Sequence, residues 1–200
     1  MLFDQDKIIL DLCGGTGSWS KPYAEAGYDV RLVTLPIDVR LFIPPLDVYG
    51  VLAAPPCTMF SLAGNKYRFK EKQNGTYFPK IKESLSIVDA CIRIIFVCSP
   101  KFWALENPVG TLSNYLGRPK FIFNPCDFGD NYTKKTALWG NFNHPRKFGC
   151  VEPEFVEVGK DKKRMSKIHY EAFKLPPKER AELRSITPSG FARAFFEANR

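Results

Sequence analysis

The sequence predicts an α/β fold, a mostly parallel sheet with helices on both faces, and three observations carry that expectation. Short apolar runs, Lys7 to Leu12, Tyr28 to Val33, Val51 to Ala54 and Lys101 to Leu105, alternate with stretches of helical character. The first run leads straight into a glycine-rich turn, Cys13-Gly14-Gly15-Thr16-Gly17, which lets backbone approach a ligand closely. The third is stopped by Pro55-Pro56, which cannot donate to a sheet ladder, and the next residue is Cys57. In such sheets ligands bind just past the carboxyl ends of the strands, so Cys57 stands where chemistry is expected.

Two hundred residues with 44% hydrophobic content suit one domain with a real core. Lysine and arginine number 29 against 21 acidic residues, and the resulting charge of +8 points to a polyanionic partner. Six cysteines without a Cys-x-x-Cys pair, and only two histidines, argue against zinc, so no metal is expected. No signal peptide and no apolar run long enough for a bilayer is visible. A cytoplasmic protein with free thiols and no membrane partner is therefore expected.

Taken in order, Ser18 is placed to cap a helix that reaches about Ala26 and is closed by Gly27. Beyond Cys57, the stretch Leu62 to Lys82 is polar, and its basic residues interleave with Tyr67, Phe69, Tyr77 and Phe78. That mixture predicts a mobile flap closing on nucleic acid. From Ser84 to Ser99, Leu85, Val88, Ile92, Ile95 and Phe96 recur at helical spacing, with Cys91 and Cys98 as core residues. The strand after Pro100 ends in Glu106-Asn107-Pro108, a carboxylate at a strand's carboxyl end. Burial there would raise its pKa toward that of a proton donor. A short helix over Thr111 to Leu116 and strands over Phe121 to Phe123 and Thr136 to Trp139 follow. From Asn141 to Pro177 no apolar face repeats. A helix spans Pro177 to Leu183, and Thr187-Pro188 opens the last one, with Phe191, Ala194 and Phe195 as its stripe.

Five of these stretches, in this order, resemble the motifs of the DNA cytosine-C5 methyltransferase family, its small phage-encoded members above all. Asp11-Leu12-Cys13-Gly14-Gly15-Thr16-Gly17 is similar to the first S-adenosylmethionine motif, and Asp38-Val39-Arg40 to the motif whose acid contacts the adenine amino group. Pro55-Pro56-Cys57 with Phe60-Ser61 resembles the nucleophile motif, and Glu106-Asn107-Pro108 the Glu-Asn-Val motif. Thr187-Pro188-Ser189-Gly190 is similar to the final motif, which completes the cofactor pocket. The resemblance implies a Rossmann-like S-adenosylmethionine-dependent methyltransferase fold. It implies catalysis by Cys57, Glu106 and Lys135, the last standing where the family has the second arginine of Gln-x-Arg-x-Arg. S-adenosylmethionine is the implied cofactor, held by Asp11, Leu12, Cys13, Gly14, Gly15, Thr16, Gly17, Trp19, Asp38, Val39, Pro55 and Ser189. DNA is the implied partner, contacted by Ser61, Lys66, Arg68, Lys70, Lys72, Lys163 and Arg164.

The residues also make chemical sense without the family. Cytosine C5 is a poor nucleophile until a thiolate adds at C6 and makes it enamine-like. An acid near N3 takes up the density that this addition displaces. The chain departs from the family at Thr34-Leu35, where an acid is usual, at Cys13, where phenylalanine is usual, and at Asn131-Tyr132-Thr133-Lys134-Lys135, which lacks the arginines. Lysine cannot reproduce the guanidinium fork. The expected organisation is a catalytic and cofactor-binding core over 1–140, a reduced irregular segment over 141–186 in place of a target-recognition domain, and a returning helix over 187–200. So little recognition machinery implies low sequence specificity or a protein partner that supplies it. The competing functions are an RNA cytosine methyltransferase and a non-catalytic nucleic-acid or cofactor binder.

Overall fold

The computed structural model describes residues 6–149, 151–159 and 162–200. Six strands, β1 (Ile8–Leu12), β2 (Asp29–Val33), β3 (Val48–Ala53), β4 (Phe102–Pro108), β5 (Phe121–Phe123) and β6 (Thr136–Asn141), form one sheet. Their order is β2-β1-β3-β4-β6-β5. The pairs β1/β2, β1/β3 and β3/β4 are parallel, and β6 runs antiparallel between β4 and β5. The expected α/β architecture is therefore present.

Both faces of the sheet are covered, which is why its strands read as nearly continuous apolar runs. Leu10, Leu12, Val51, Ala53 and Leu105 point to one face, where α3 (Tyr77–Cys98) packs Val88, Cys91, Ile94 and Ile95 on them. Ile9, Leu52, Ala104 and Leu138 point to the other. There α1 (Lys21–Glu25) and α7 (Ser189–Ala198) bring Tyr23, Phe191 and Phe195 into an aromatic layer with Trp19. At the end of α7, Asn199 donates through Nδ2 to the carbonyls of Asn143 and Phe195 at 3.0 and 2.9 Å, fixing the chain's return to the sheet.

Several elements differ from expectation. The stretch Leu62 to Lys82, expected as a flap and without a helical period in its sequence, is helical: a 3₁₀ turn, then α2 (Asn65–Gln73), then the start of α3. Almost every residue of α2 faces solvent, so no apolar period marks it. Buried Arg68 and Glu71 anchor it, the first on the carbonyls of Met59 and Ser61, the second through Lys80 at 2.7 Å. Ser18 does not cap α1, which begins only at Lys21; instead its Oγ accepts the Thr187 N–H at 2.8 Å. Between 141 and 186 the chain forms a hairpin of β7 (Phe155–Val158) and β8 (Lys163–Ser166), then α5 (Lys167–Lys174) and α6 (Pro177–Ser185). Four-residue strands with only partial burial leave no apolar signature to read. α4 (Ser113–Leu116) lies where a short helix is expected.

Candidate active site

Strand register builds the site. Leu12 stands opposite both Val33 and Ala53, and Ala53 opposite Leu105, so the four parallel strands come level at their carboxyl ends. The residues that follow, Cys13, Thr34, Ala54 and Glu106, share one rim. Backbone bonds close it: the Cys13 N–H donates to Val33 O at 2.7 Å, and Ala54 N–H to Leu12 O at 2.9 Å. β4 runs through Glu106-Asn107-Pro108, the residues in which the strand is expected to end. It continues antiparallel to β6 with Glu106 opposite Leu138, so a strand on one side holds this carboxylate while the other side opens onto the rim.

Past the rim the loop that carries Cys57 is stapled to β4. Asn107 is fully buried and donates through Nδ2 to the Pro55 carbonyl at 3.0 Å. The Cys57 carbonyl accepts from Phe60 and Ser61 at 2.9 and 2.8 Å, coiling the chain just after the thiol. Thr111 N–H donates to Phe60 O at 2.8 Å. Gly110 permits this approach, since a Cβ there would lie 2.1 Å from the same oxygen.

Cys57 and Glu106 line one cleft together with Asp11, Cys13, Gly14 and Gly15. Burial pushes the Cys57 thiol up, and the neighbouring Glu106 adds to the shift, while Lys134 and Arg184 oppose it. Burial also raises the Glu106 carboxyl against the pull of Lys134. Asp11 is wholly buried, and its pKa is raised to about 6 by that burial, although the Ser20 hydroxyl donates to Oδ2 at 2.6 Å. Its other oxygen, Oδ1, has no partner among the described residues. Gly14 lies directly over this carboxylate: a Cβ there would meet Oδ1 at 2.2 Å. An unpartnered buried acceptor beneath a bare backbone cradle fits a ligand that carries a cationic donor.

The remaining expected residues divide. Pro55 and Trp19 also line the cleft, although Trp19 is mainly a core residue, tilted against Phe191 and edge-on to Phe195. Thr16 and Gly17 belong to a second, more open cleft on the far side of the glycine turn. Leu12 and Val39 are core. Asp38 is committed to Arg40 at 2.6 Å, which holds its carboxyl down at about 2. Ser189 is exposed at the start of α7, and the cleft is met instead by Thr187. Lys135 is exposed on the way into β6; the lysine that lines the cleft is Lys134, whose Nζ donates to the Arg184 carbonyl at 3.0 Å. Arg184, on α6, stands 50 positions along the chain from Lys134, so no local sequence pattern links the two.

On the expected nucleic-acid side, Lys66, Lys70 and Lys72 are exposed on α2, whereas Ser61 and Arg68 are buried beneath it. The Arg68 guanidinium is occupied by backbone carbonyls and Asn65, so it is not available to a phosphate. Arg164 lies over the Phe155 ring at 4.4 Å in the hairpin. The Lys163 side chain falls outside the described residues. Among the described residues no cluster of three His, Cys, Asp or Glu could hold a metal ion, and no helix is long and apolar enough to cross a membrane.

A mostly parallel sheet thus carries a glycine turn, a thiol and a carboxyl on one rim, at the strand ends where α/β folds bind ligands. No family model matches the chain. Its sequence is similar to that of the type II methyltransferase M.DdeI of Desulfomicrobium norvegicum, 30% identical over 130 residues. The match covers 52% of this chain and 28% of that protein, so the chain spans under a third of its relative. Its fold is similar to that of a prophage-encoded Escherichia coli protein described as a DNA modification methyltransferase, with 16% identity, a TM-score of 0.44, and coverage of 90% of this chain and 69% of that one.

Proposed function

We propose that this protein transfers a methyl group from S-adenosylmethionine to C5 of cytosine in DNA, acting in the cytoplasm. The observation that carries the reading is the pairing of Cys57 with Glu106 in one cleft beside the glycine turn. Likeness to a type II methyltransferase supports the reaction class. The orphaned Asp11 Oδ1 and the backbone of Gly14 and Gly15 would hold the cofactor, whose bound sulfonium supplies an electrophilic methyl group.

The chain's own residues do the rest. The target carbon is inaccessible in a stacked duplex, so the base is flipped into the cleft. The Cys57 thiolate forms a bond to C6, and the displaced electron pair is taken up at N3 with a proton from Glu106. Burial raises the Glu106 carboxyl above its ordinary value, the direction that this role demands. C5 is then enamine-like and able to attack the methyl group that the bound cofactor would supply; return of the N3 proton to Glu106 and loss of the C5 proton to water then expel the Cys57 thiolate. Asn107, by fixing the Pro55 carbonyl, keeps the nucleophile loop and the acid at constant separation.

Duplex DNA carrying 5-fluorocytosine tests this, because fluorine at C5 blocks the elimination that frees the enzyme. With S-adenosylmethionine present, wild-type protein should stay on the DNA in a denaturing gel, and Cys57→Ser should not. An adduct with Cys57→Ser, a wild type that methylates without being trapped, or trapping confined to RNA would overturn the proposal.

A further inference from the structure

The nucleophile cleft has a cationic wall, and one of its two charges comes from a segment that the sequence motifs do not touch. Lys134 precedes β6, and Arg184 sits in the last turn of α6. A helix's last turn favours a cation, which would account for an arginine there without any ligand. Two observations go beyond that. Arg180, one turn earlier, is committed to the Phe173 and Leu175 carbonyls and to the Phe173 ring, whereas Arg184 has no carboxylate within ion-pair distance among the described residues. The Lys134 ammonium also ties down the Arg184 carbonyl at 3.0 Å, fixing the end of α6 against the rim.

We infer that Arg184, delivered by α6, is a positioning residue that supplies with Lys134 the positive charge facing the Cys57 thiolate. The inference rests on the reading of Cys57 as the nucleophile. It explains how a chain with lysines in place of the usual arginines still presents a guanidinium to its active site. The charged and titratable groups around the thiol are Asp11 and Cys13 from the first strand end, Glu106 from β4, Lys134 before β6 and Arg184 from α6. Behind the wall lie Tyr132 and His169, and His169 is held below its ordinary value by burial and by these same two cations. Glu106 opposes a thiolate, and the two cations, with a backbone hydrogen bond at Cys57, favour it. Both cations pull the Cys57 thiol down against burial and Glu106.

The charge is read directly from the pH dependence of Cys57 alkylation by iodoacetamide, followed on the Cys57 peptide by mass spectrometry without DNA or cofactor. Arg184→Gln should shift the midpoint upward, slowing alkylation about 3- to 10-fold at pH 8, the size expected for one partly screened neighbouring charge. Arg184→Lys, which keeps the charge, should stay within about 2-fold of wild type by the same argument. Glu106→Gln should shift the midpoint the other way. Circular dichroism confirms that the variants fold. A Gln variant with the wild-type midpoint, or a Lys variant that behaves like the Gln variant, overturns the inference. Failure of the 5-fluorocytosine trap would remove the methyl-transfer reading and leave this midpoint as measured, so the two failures are separable.

Discussion

Asp11 is where the demands of folding and binding conflict. Its carboxylate is wholly buried, receives one hydroxyl hydrogen bond and has a second oxygen without a partner. With a pKa raised from 3.8 to about 6, the native state keeps a proton that the unfolded chain has already released. The group's contribution to stability is therefore whole below about pH 3.8 and is lost as pH rises through 6. Between pH 3.5 and 7.5 wild type should lose about 3 kcal/mol relative to Asp11→Asn, roughly two pKa units of linkage. Urea melts at both pH values measure the difference; parallel pH dependence in the two proteins would mean the carboxyl is not perturbed. At neutral pH the same variant should bind S-adenosylmethionine more weakly, since the unpartnered anion is gone. Cys57 and Glu106 were legible in the sequence because chain punctuation, Pro-Pro and Asn-Pro, marks them as strand ends. Lys134 and Arg184 were not: adjacent lysines cannot be told apart without the register of β6, and Arg184 reaches the rim only through tertiary packing.

At the scale of elements, α7 closes the face of the sheet opposite α3, and its approach is set by one glycine. A Cβ at Gly190 would lie 1.8 Å from the Phe128 carbonyl, a backbone atom that cannot rotate away. Gly190→Ala should push α7, and Phe191 with it, off Phe123 and Phe128 and cost about 1–3 kcal/mol, the size typical of overpacking with backbone shifts. A denaturant midpoint equal to that of wild type would show that the helix can shift without loss. The apolar elements were readable in advance: β1, β2 and α7 carry the residues that bury them, and α3 was recognised from its apolar period over Ser84 to Ser99. Its first two turns, and all of α2, were missed because ion pairs, cation–π contacts such as Lys72 over Tyr77 and buried Arg68 hold them. Polar helices of this kind leave no period to count.

For the molecule as a whole, the charge of +8 matters less than where its free cations stand. Lys80 is paired with Glu71 and Arg68 is bound to backbone carbonyls, so neither is at liberty to meet a phosphate. Lys66 and Lys70 remain exposed on α2, and Lys72 rests on the Tyr77 ring with its ammonium still accessible. α2 starts four residues after Ser61 and is clamped to the nucleophile loop through Arg68, so a duplex held by these lysines is held beside the cleft. If they contact phosphates, log affinity for DNA should fall with log salt at roughly −0.9 per contact. Replacing Lys70 and Lys72 together by glutamine should reduce the slope by about 2 and weaken unrelated duplexes alike, because phosphate contacts carry no sequence information. S-adenosylmethionine binding should be unchanged, since neither lysine lines the cleft that Asp11 and the glycine turn share with Cys57. Fluorescence anisotropy on several duplexes at stepped salt provides the measurement. A double variant that keeps the wild-type slope, or loses affinity for one sequence alone, would move the DNA-holding surface away from α2.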